Sequence, residues 1–298
     1  MSGEVSGTAP ARGVPARAVP ARAVPPEVSA YLDLVLRSDA DVHEHGPFTL
    51  FAGRGAWQYY ARPRRLAAGE PTTFTAADVR SLGWLQDSLG LPACLEWLED
   101  EAPTLAGAAR EAGLQVTSHP LLVLAPGVEP VSPPCDLVVR LLDADDPDLP
   151  AVHAAVAAGF AGTDDVAERA AASAETEDPS LEQVRRMLRA GTRVQAGAFD
   201  AQGRAVAGAA HQPLGPDGGA AAGVSATEVV GVATVPTHRG QGAAAALTAL
   251  LAHDARSRGI GTVFCSATDE AVARVYARVG FVRVGTAWAA EPCEDPSS

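Results

Sequence analysis

The sequence predicts a mixed α/β fold in which a smaller α/β unit precedes a larger one. Three observations predict it. Beyond Asp136 the periodicities run β-α-α-β-β-β-α-β-α-β, the order of a mixed α/β sandwich. Val128–Asp136 (VEPVSPPCD) carries three prolines in nine residues and reads as a linker between units. The stretch VVGVATVPTHRGQGAAAALTALL, from Val229, leads a β-rich strand through a glycine-containing turn directly into a helix.

The elements follow in chain order. Residues 1–27 repeat the pentads ARGVP, ARAVP, ARAVP, and proline every fifth residue bars regular helix. A disordered, partly polyproline-like Pro/Ala/Arg tail is expected there. Residues 28–134 form the first folded unit, an N-terminal α/β domain. Trp57, Tyr59 and Tyr60 are expected as core residues on a strand after a turn near Gly53 and Gly55. Thr75 caps a helix running to about Leu89, with Val79, Leu82, Leu85 and Leu89 on one side and Gly90 as the stop. A short helix is expected over Ala93–Glu99. Pro103 and Thr104 open another that ends near Gly113, and Leu121–Pro126 is a short buried strand.

The second unit spans 136–290. Leu137–Leu141 is a strand, and Leu149–Gly159 and Leu181–Arg189 are helical. Val194–Phe199 and Ala205–His211 alternate as a hairpin with its turn at Asp200–Arg204. Gly215–Gly223 is a flexible loop. Strand Glu228–Val235, helix Ala243–Arg258, strand Thr262–Ala267, helix Glu270–Val279 and strand Phe281–Ala287 complete the unit, and 291–298 is a flexible C-terminus.

Composition narrows the function. A formal net charge of −13 repels a phosphate backbone, so no nucleic-acid partner is expected. A small anion can still bind where amides and arginines are concentrated. The four cysteines show no C-x-x-C spacing and no tight His/Cys cluster, so no metal is expected and the thiols are read as free. No apolar run approaches the ~18–20 residues that cross a bilayer, and the N-terminus has no apolar signal core. These readings predict a cytoplasmic protein without a membrane partner. Oligomeric state is left open, a homo-oligomer included.

The most informative residues lie between Val229 and Ala246. Pro236 ends the strand, and Gly240 and Gly242 let the backbone turn sharply and approach a ligand. A helix start exposes unsatisfied amides and the positive end of the dipole. From Arg239 to Ala252 there is no acidic residue, and Ala243–Ala246 are small, which leaves room for an external phosphate. The stretch is neither G-x-x-x-x-G-K-[ST] nor G-x-G-x-x-G. A glycine-containing turn that binds nothing is the competing reading of these residues taken alone.

Arg239-Gly240-Gln241-Gly242-Ala243-Ala244 resembles the [RQ]-x-x-G-x-[GA] signature of the GNAT superfamily of N-acetyltransferases, preceded by its V-x-P (Val235–Pro236). Asp269–Phe281 (DEAVARVYARVGF) is similar to that family's N-x-x-A-x-x-L-Y-x-x-x-G-F segment. The resemblance covers about residues 137–290 and implies a GNAT-like fold with acetyl-CoA as donor. It implies that the backbone of Ala233, Thr234 and Val235 pairs with the pantetheine arm and that amides from Arg239 through Gly240, Gln241, Gly242 and Ala243 to Ala244 hold the pyrophosphate. It also implies a splayed strand pair that admits the thioester. Asp269 departs from the family's asparagine; an ionised aspartate caps a helix but donates no hydrogen bond to a cofactor. The first unit reads either as a degenerate GNAT-like half or as an unrelated cover for the acceptor cleft. It holds no second R-x-x-G-x-[GA], and AGRGAW (Ala52–Trp57) precedes no convincing helix.

Acyl transfer to an amine needs a base, an oxyanion donor and a proton source for the leaving thiolate. Tyr276 is the acid candidate, matching the tyrosine of many relatives and also acting as a cofactor contact. Glu228 is the base candidate, eleven residues before Arg239, with an exposed strand-end carboxylate as its bland reading. His211 is an alternative base. His238 is read as a phosphate neighbour and Cys265 as a buried strand residue. Two functions are carried: an N-acetyltransferase acting on a primary amine of a small molecule or peptide, and a non-catalytic acyl-CoA-binding sensor.

Overall fold

The computed structural model describes residues 23–65, 73–215 and 223–293. The expected tail therefore lies outside the described residues up to residue 22, as do most of the Gly215–Gly223 loop and residues 294–298. Helix α1 (Pro26–Arg37) begins inside the expected tail, with proline in its first turn and Val28, Tyr31, Leu32 and Leu36 buried. No helix among the described residues is long and apolar enough to cross a membrane.

After α1 the first unit runs β1 (Ala40–His45), β2 (Phe48–Gly53), β3 (Ala61–Pro63), α2 (Ala76–Ser88), β4 (Leu95–Leu98), α3 (Leu105–Glu111) and β5 (Leu114–Leu124). The second runs β6 (Val138–Leu142), α4 (Leu149–Ala161), α5 (Val166–Thr176), α6 (Pro179–Ala190), β7 (Val194–Phe199), β8 (Ala205–Gln212), β9 (Ala226–Thr234), α7 (Ala243–Ser257), β10 (Thr262–Ser266), α8 (Glu270–Val279) and β11 (Val282–Pro292). A single 3-10 turn, Pro236–His238, joins β9 to the α7 loop.

The eleven strands of the described residues form one sheet in the order β1-β2-β3-β4-β11-β5-β10-β9-β8-β7-β6. Apart from β6, this order is a palindrome about the β11–β5 pair. Each half repeats the same succession: two antiparallel strands, a third strand, a helix, a fourth strand parallel to the third, a helix and a last strand. The last strands are exchanged. β5 leaves the first half to pair with β10, and β11 leaves the second to pair with β4. The two pair with each other from Val282–Val123 to Pro292–Leu114. The linker at 128–136 thus divides the chain without dividing the sheet.

Three sequence expectations need correction. Ala93–Glu99 is not a helix: β4 occupies Leu95–Leu98, where Leu95 and Trp97 bury one face while Glu96 points to the other. Four residues are too few for periodicity to separate strand from helix. Trp57, Tyr59 and Tyr60 lie in the connection between β2 and β3 rather than on a strand, although all three pack against core clusters. Helix α5 was not foreseen; it buries none of its residues, so it lacks the apolar stripe by which a helix is read.

Helices α2, α3, α7 and α8 cover one face of the sheet, and α1, α4 and α6 the other. Small residues set the spacing under α4. A Cβ on Gly208 would lie 2.6 Å from Val156 Cγ2 and 2.9 Å from Val152 Cγ1. Gly208→Ala is therefore expected to destabilise the protein by about 1–3 kcal/mol through overpacking. Urea denaturation would measure this, and an unchanged midpoint would contradict the close helix–sheet approach.

Candidate functional site: an amide cradle at a fork in the sheet

Parallel pairing between β9 and β10 covers only Ala226–Glu228 against Thr262–Phe264. Past that point β10 stays with β5, and Ala267 N donates to Pro120 O at 2.9 Å. β9 stays with β8, through a register shift beside Gly231, whose φ is +62°. Val229–Thr234 are left without a β10 partner, and the sheet forks at Glu228.

The turn beyond β9 places a helix start beside the fork. Gly240 (φ +79°) and Gly242 (φ +88°) occupy left-handed backbone. The amides of Gly240, Gln241, Gly242, Ala243 and Ala244 find no acceptor among the described residues, and no side chain caps α7. Arg239, Gly240 and Gln241 are exposed, so the cradle is open to solvent. A Cβ on Gly240 would meet nothing within 4 Å, whereas one on Gly242 would lie 3.1 Å from Pro134 O. Gly242 thus faces the linker, and Cys135 Sγ lies 3.5 Å from Gln241 O.

Arg239 departs from expectation. Its amide donates to Pro236 O within the 3-10 turn, so it is spent. Its guanidinium turns back, with Nε on Thr234 O at 3.1 Å and Nη2 on Gly159 O at 2.8 Å. Arg239 ties the end of α4 to the end of β9, and it engages the Thr234 carbonyl of the free edge. Ala233 is paired to Gly208, and Val235 N donates to Val206 O at 3.0 Å.

Asp269 caps α8, accepting from Ala271 N (2.7 Å) and Val272 N (2.9 Å) on Oδ1. Tyr276 on that helix is 5% exposed, and its ring lies 6.2 Å from that of Phe281. Burial, then Cys265 and Glu228, raise its pKa well above the ordinary phenol value, so it keeps its proton at neutral pH. Glu228 is half-buried at the fork, on the face opposite α7. Burial first, and the Glu96 carboxylate second, push its pKa up to about 8 against the pull of Arg62. Cys265 is fully buried, and burial with Glu228 raises its thiol.

His211 is excluded as a base for this site. It is fully buried beneath α7, with Nδ1 3.1 Å from Thr227 Oγ1 and Nε2 2.9 Å from Asp254 Oδ2. Thr227 and Glu228 point to opposite faces by strand alternation. His238 lies 3.0 Å from Thr237 Oγ1 and 3.9 Å from Asp200, turned toward the β7–β8 turn.

On the α1 face the fork opens into a cleft of about 580 Å³. Glu228, Val230 and Ser266 form its floor, and Leu36, Asp39, Tyr59, Tyr60 and Glu96 come from the first half. Glu96 stands four strand positions from Glu228, so the sheet curls enough to bring both into one cavity. Asp39 is held by Gln183 Nε2 at 2.8 Å. Sequence reasoning missed Glu96, Tyr60 and Arg62, whose placement depends on long-range pairing. The alternation Leu95, Trp97 against Glu96 was the available signal.

Comparison with known proteins agrees with this arrangement. Residues 167–281 match the model of the acetyltransferase (GNAT) family. The whole chain is similar in fold to a GCN5-related N-acetyltransferase from Kribbella flavida: 21% identity over 91% of this chain and 95% of that one, TM-score 0.63. It is also similar to a GCN5-related N-acetyltransferase-like protein from Streptococcus suis 89/1591 (14%, 89% and 98%, TM-score 0.52). A functionally unknown conserved protein from Staphylococcus epidermidis ATCC 12228 shares the fold too (12%, 87% and 96%, TM-score 0.51). No curated protein matches the chain. Fold and family match together define an α/β protein with a GNAT-like fold. Residues 167–281 are the part of the chain that matches the GNAT family, and the remainder resembles such proteins in fold alone.

The two halves differ at the start of the crossover helix. α2 occupies the position of α7, but a capping box closes it: Thr75 Oγ1 accepts from Asp78 N (3.2 Å) and Asp78 accepts from Thr75 N (2.9 Å). Its first turn carries a carboxylate where α7 has none. Calorimetric titration with CoA is expected to give one equivalent per chain, and two would contradict the closed α2 terminus. Gly242→Asp, which adds a charge beside the cradle and a side chain against Pro134, is expected to weaken that binding at least about a hundredfold.

Proposed function

We propose that the protein is an acyl-CoA-dependent N-acetyltransferase that transfers acetyl from acetyl-CoA to a primary amine of a small molecule or peptide. The observation that carries this reading is the juxtaposition of unengaged amides at the start of α7 with a fork in the sheet floored by Glu228. The residues present fit the donor: five amides free to bind an anion, an open surface at Gly240, and no carboxylate in the first turn of α7. Acetyl-CoA, when bound, supplies an activated acetyl thioester.

In this reading the amides of Gly240–Ala244 bind the pyrophosphate, and the free edge at Ala233–Val235 lines the pantetheine arm. Asp269 fixes the start of α8 and so the height of Tyr276. Glu228 takes a proton from the acceptor's ammonium group, leaving a neutral amine to attack. A second proton leaves that nitrogen as the amide forms and balances the one the departing thiol needs. The Tyr276 phenol holds its proton more tightly than a thiol of pKa about 8.5. It therefore stabilises the departing sulfur by donating a hydrogen bond rather than by giving up the proton outright. A non-catalytic sensor would use the same cradle but would not need Glu228 at the fork. CoA binding without amine-dependent CoA release would favour the sensor.

The raised carboxyl sets a pH signature. Glu96, Arg62, Tyr31, Tyr60, Cys265 and Tyr276 are the titratable groups around Glu228. The base works only when ionised, so kcat/KM is expected to rise with pH to a plateau above about 8. Glu228→Gln should abolish that limb and lower kcat about 10²–10⁴-fold. Folded Glu228 keeps a proton that the unfolded chain releases above 4.5. Its contribution to stability is therefore lost as pH rises from 4.5 to about 8, and Glu228→Gln should remove that slope. Tyr276→Phe is expected to lower kcat about 10²-fold with the KM for acetyl-CoA nearly unchanged. Wild-type rates and an unaltered pH profile in both variants would defeat the assignment.

A further inference from the structure

The cleft beneath the fork has an unbalanced charge. Among the described residues Glu228, Glu96 and Asp39 line it, and no lysine or arginine does. Arg62 is the cation that acts on both glutamates. It lines a smaller cavity of about 30 Å³ that shares Glu96, Glu228 and Ser266 with the cleft. Arg62 is 5% exposed and already lies 3.4 Å from Glu101. One guanidinium therefore faces three carboxylates, counting Glu101. Asp39 is satisfied separately by the Gln183 amide. Glu96, beside Tyr60, and Glu228 share the single Arg62 cation, so a second cation placed between the two carboxyl groups would favour their ionised forms.

The remaining walls are apolar. Leu34 and Leu36 of α1, Met187 at the end of α6, and Val230 beside Glu228 offer hydrocarbon, with the Tyr59 and Tyr60 rings among the lining residues. A cavity of this size suits a small molecule. Glu96 enters it from the first half because the exchanged strands make β4 part of the same sheet as β9. None of the residues 240–244 lines either cavity that Glu96 lines.

We propose that Glu96 is an acceptor-positioning residue, and that the acceptor is a small primary amine with a compact apolar body and no acidic group. This rests on the transferase reading of the same site. Glu96 holds the ammonium group against Glu228, and the hydrocarbon walls take the rest of the molecule. An acceptor carrying a carboxylate beside its amine would bring a negative charge among Glu96, Glu228 and Asp39. A neutral analogue would gain no ion pair with Glu96 or Glu228.

Three ligands that share a phenethyl body test this: phenethylamine, L-phenylalanine, which adds a carboxylate beside the amine, and phenethyl alcohol, titrated calorimetrically into the full chain. Phenethylamine is expected to bind, with the other two at least about tenfold weaker. Glu96→Gln, which keeps the side chain's size, is expected to weaken phenethylamine binding about tenfold or more while leaving CoA affinity unchanged. In turnover it should raise the KM for amine more than it lowers kcat, and it should move the pH limb assigned to Glu228 to lower pH. No phenethylamine binding, equal binding of L-phenylalanine, or unchanged amine affinity in Glu96→Gln would each overturn the proposal. These binding arms need no turnover. Absence of CoA release by the wild type with every amine would defeat the transferase reading alone, and the calorimetry would still decide the role of Glu96.

Discussion

The structure depends on where the parallel pairing of β9 and β10 stops. Three residue pairs hold the strands together, ending at Glu228 and Phe264, and beyond them each strand follows its other neighbour. A continued ladder would fill both edges of β9 with hydrogen bonds and leave no passage between the faces. The early stop leaves backbone edge free next to a helix start and puts one carboxylate at the branch point. Burial at that point raises the Glu228 carboxyl, so the same geometry sets its chemistry.

The fork is held open by the exchange of last strands. β5, from the first half, draws β10 away from β9, while β11 crosses to β4. Each half thus supplies the strand that shapes the other's centre, and neither closes its sheet alone. The two halves differ where the crossover helix begins. In the second half the crossover helix begins with bare amides and small residues. In the first, Thr75 and Asp78 satisfy the same positions from within. The first half keeps the topology and contributes a wall, with Glu96, Tyr59 and Tyr60 in the cleft.

Local chemistry was legible in the sequence, and long-range placement was not. Pro236, the two glycines and the absence of acidic residues up to Ala252 announced the cradle, because strand end, turn and helix start are contiguous. The Thr75 cap, the β7–β8 hairpin and the α8 segment were read for the same reason. The side chain of Arg239 was not legible, since its partner Gly159 lies eighty residues upstream. His211 read as a cleft residue, and only its contact with Asp254 shows that it belongs under α7. Glu96 was lost because a four-residue strand carries too little periodicity, and its meeting with Glu228 needs the curl of the whole sheet. Palindromic strand order, a property of pairing, leaves no mark on local patterns.

Backbone amide NMR of the isotope-labelled chain, titrated with CoA, tests the central claim most directly. The account predicts that the largest shift changes fall on Gly240–Ala244, with the start of α2 silent. Changes centred anywhere else, or amides at Gly240–Ala244 that do not respond at saturating CoA, would contradict it.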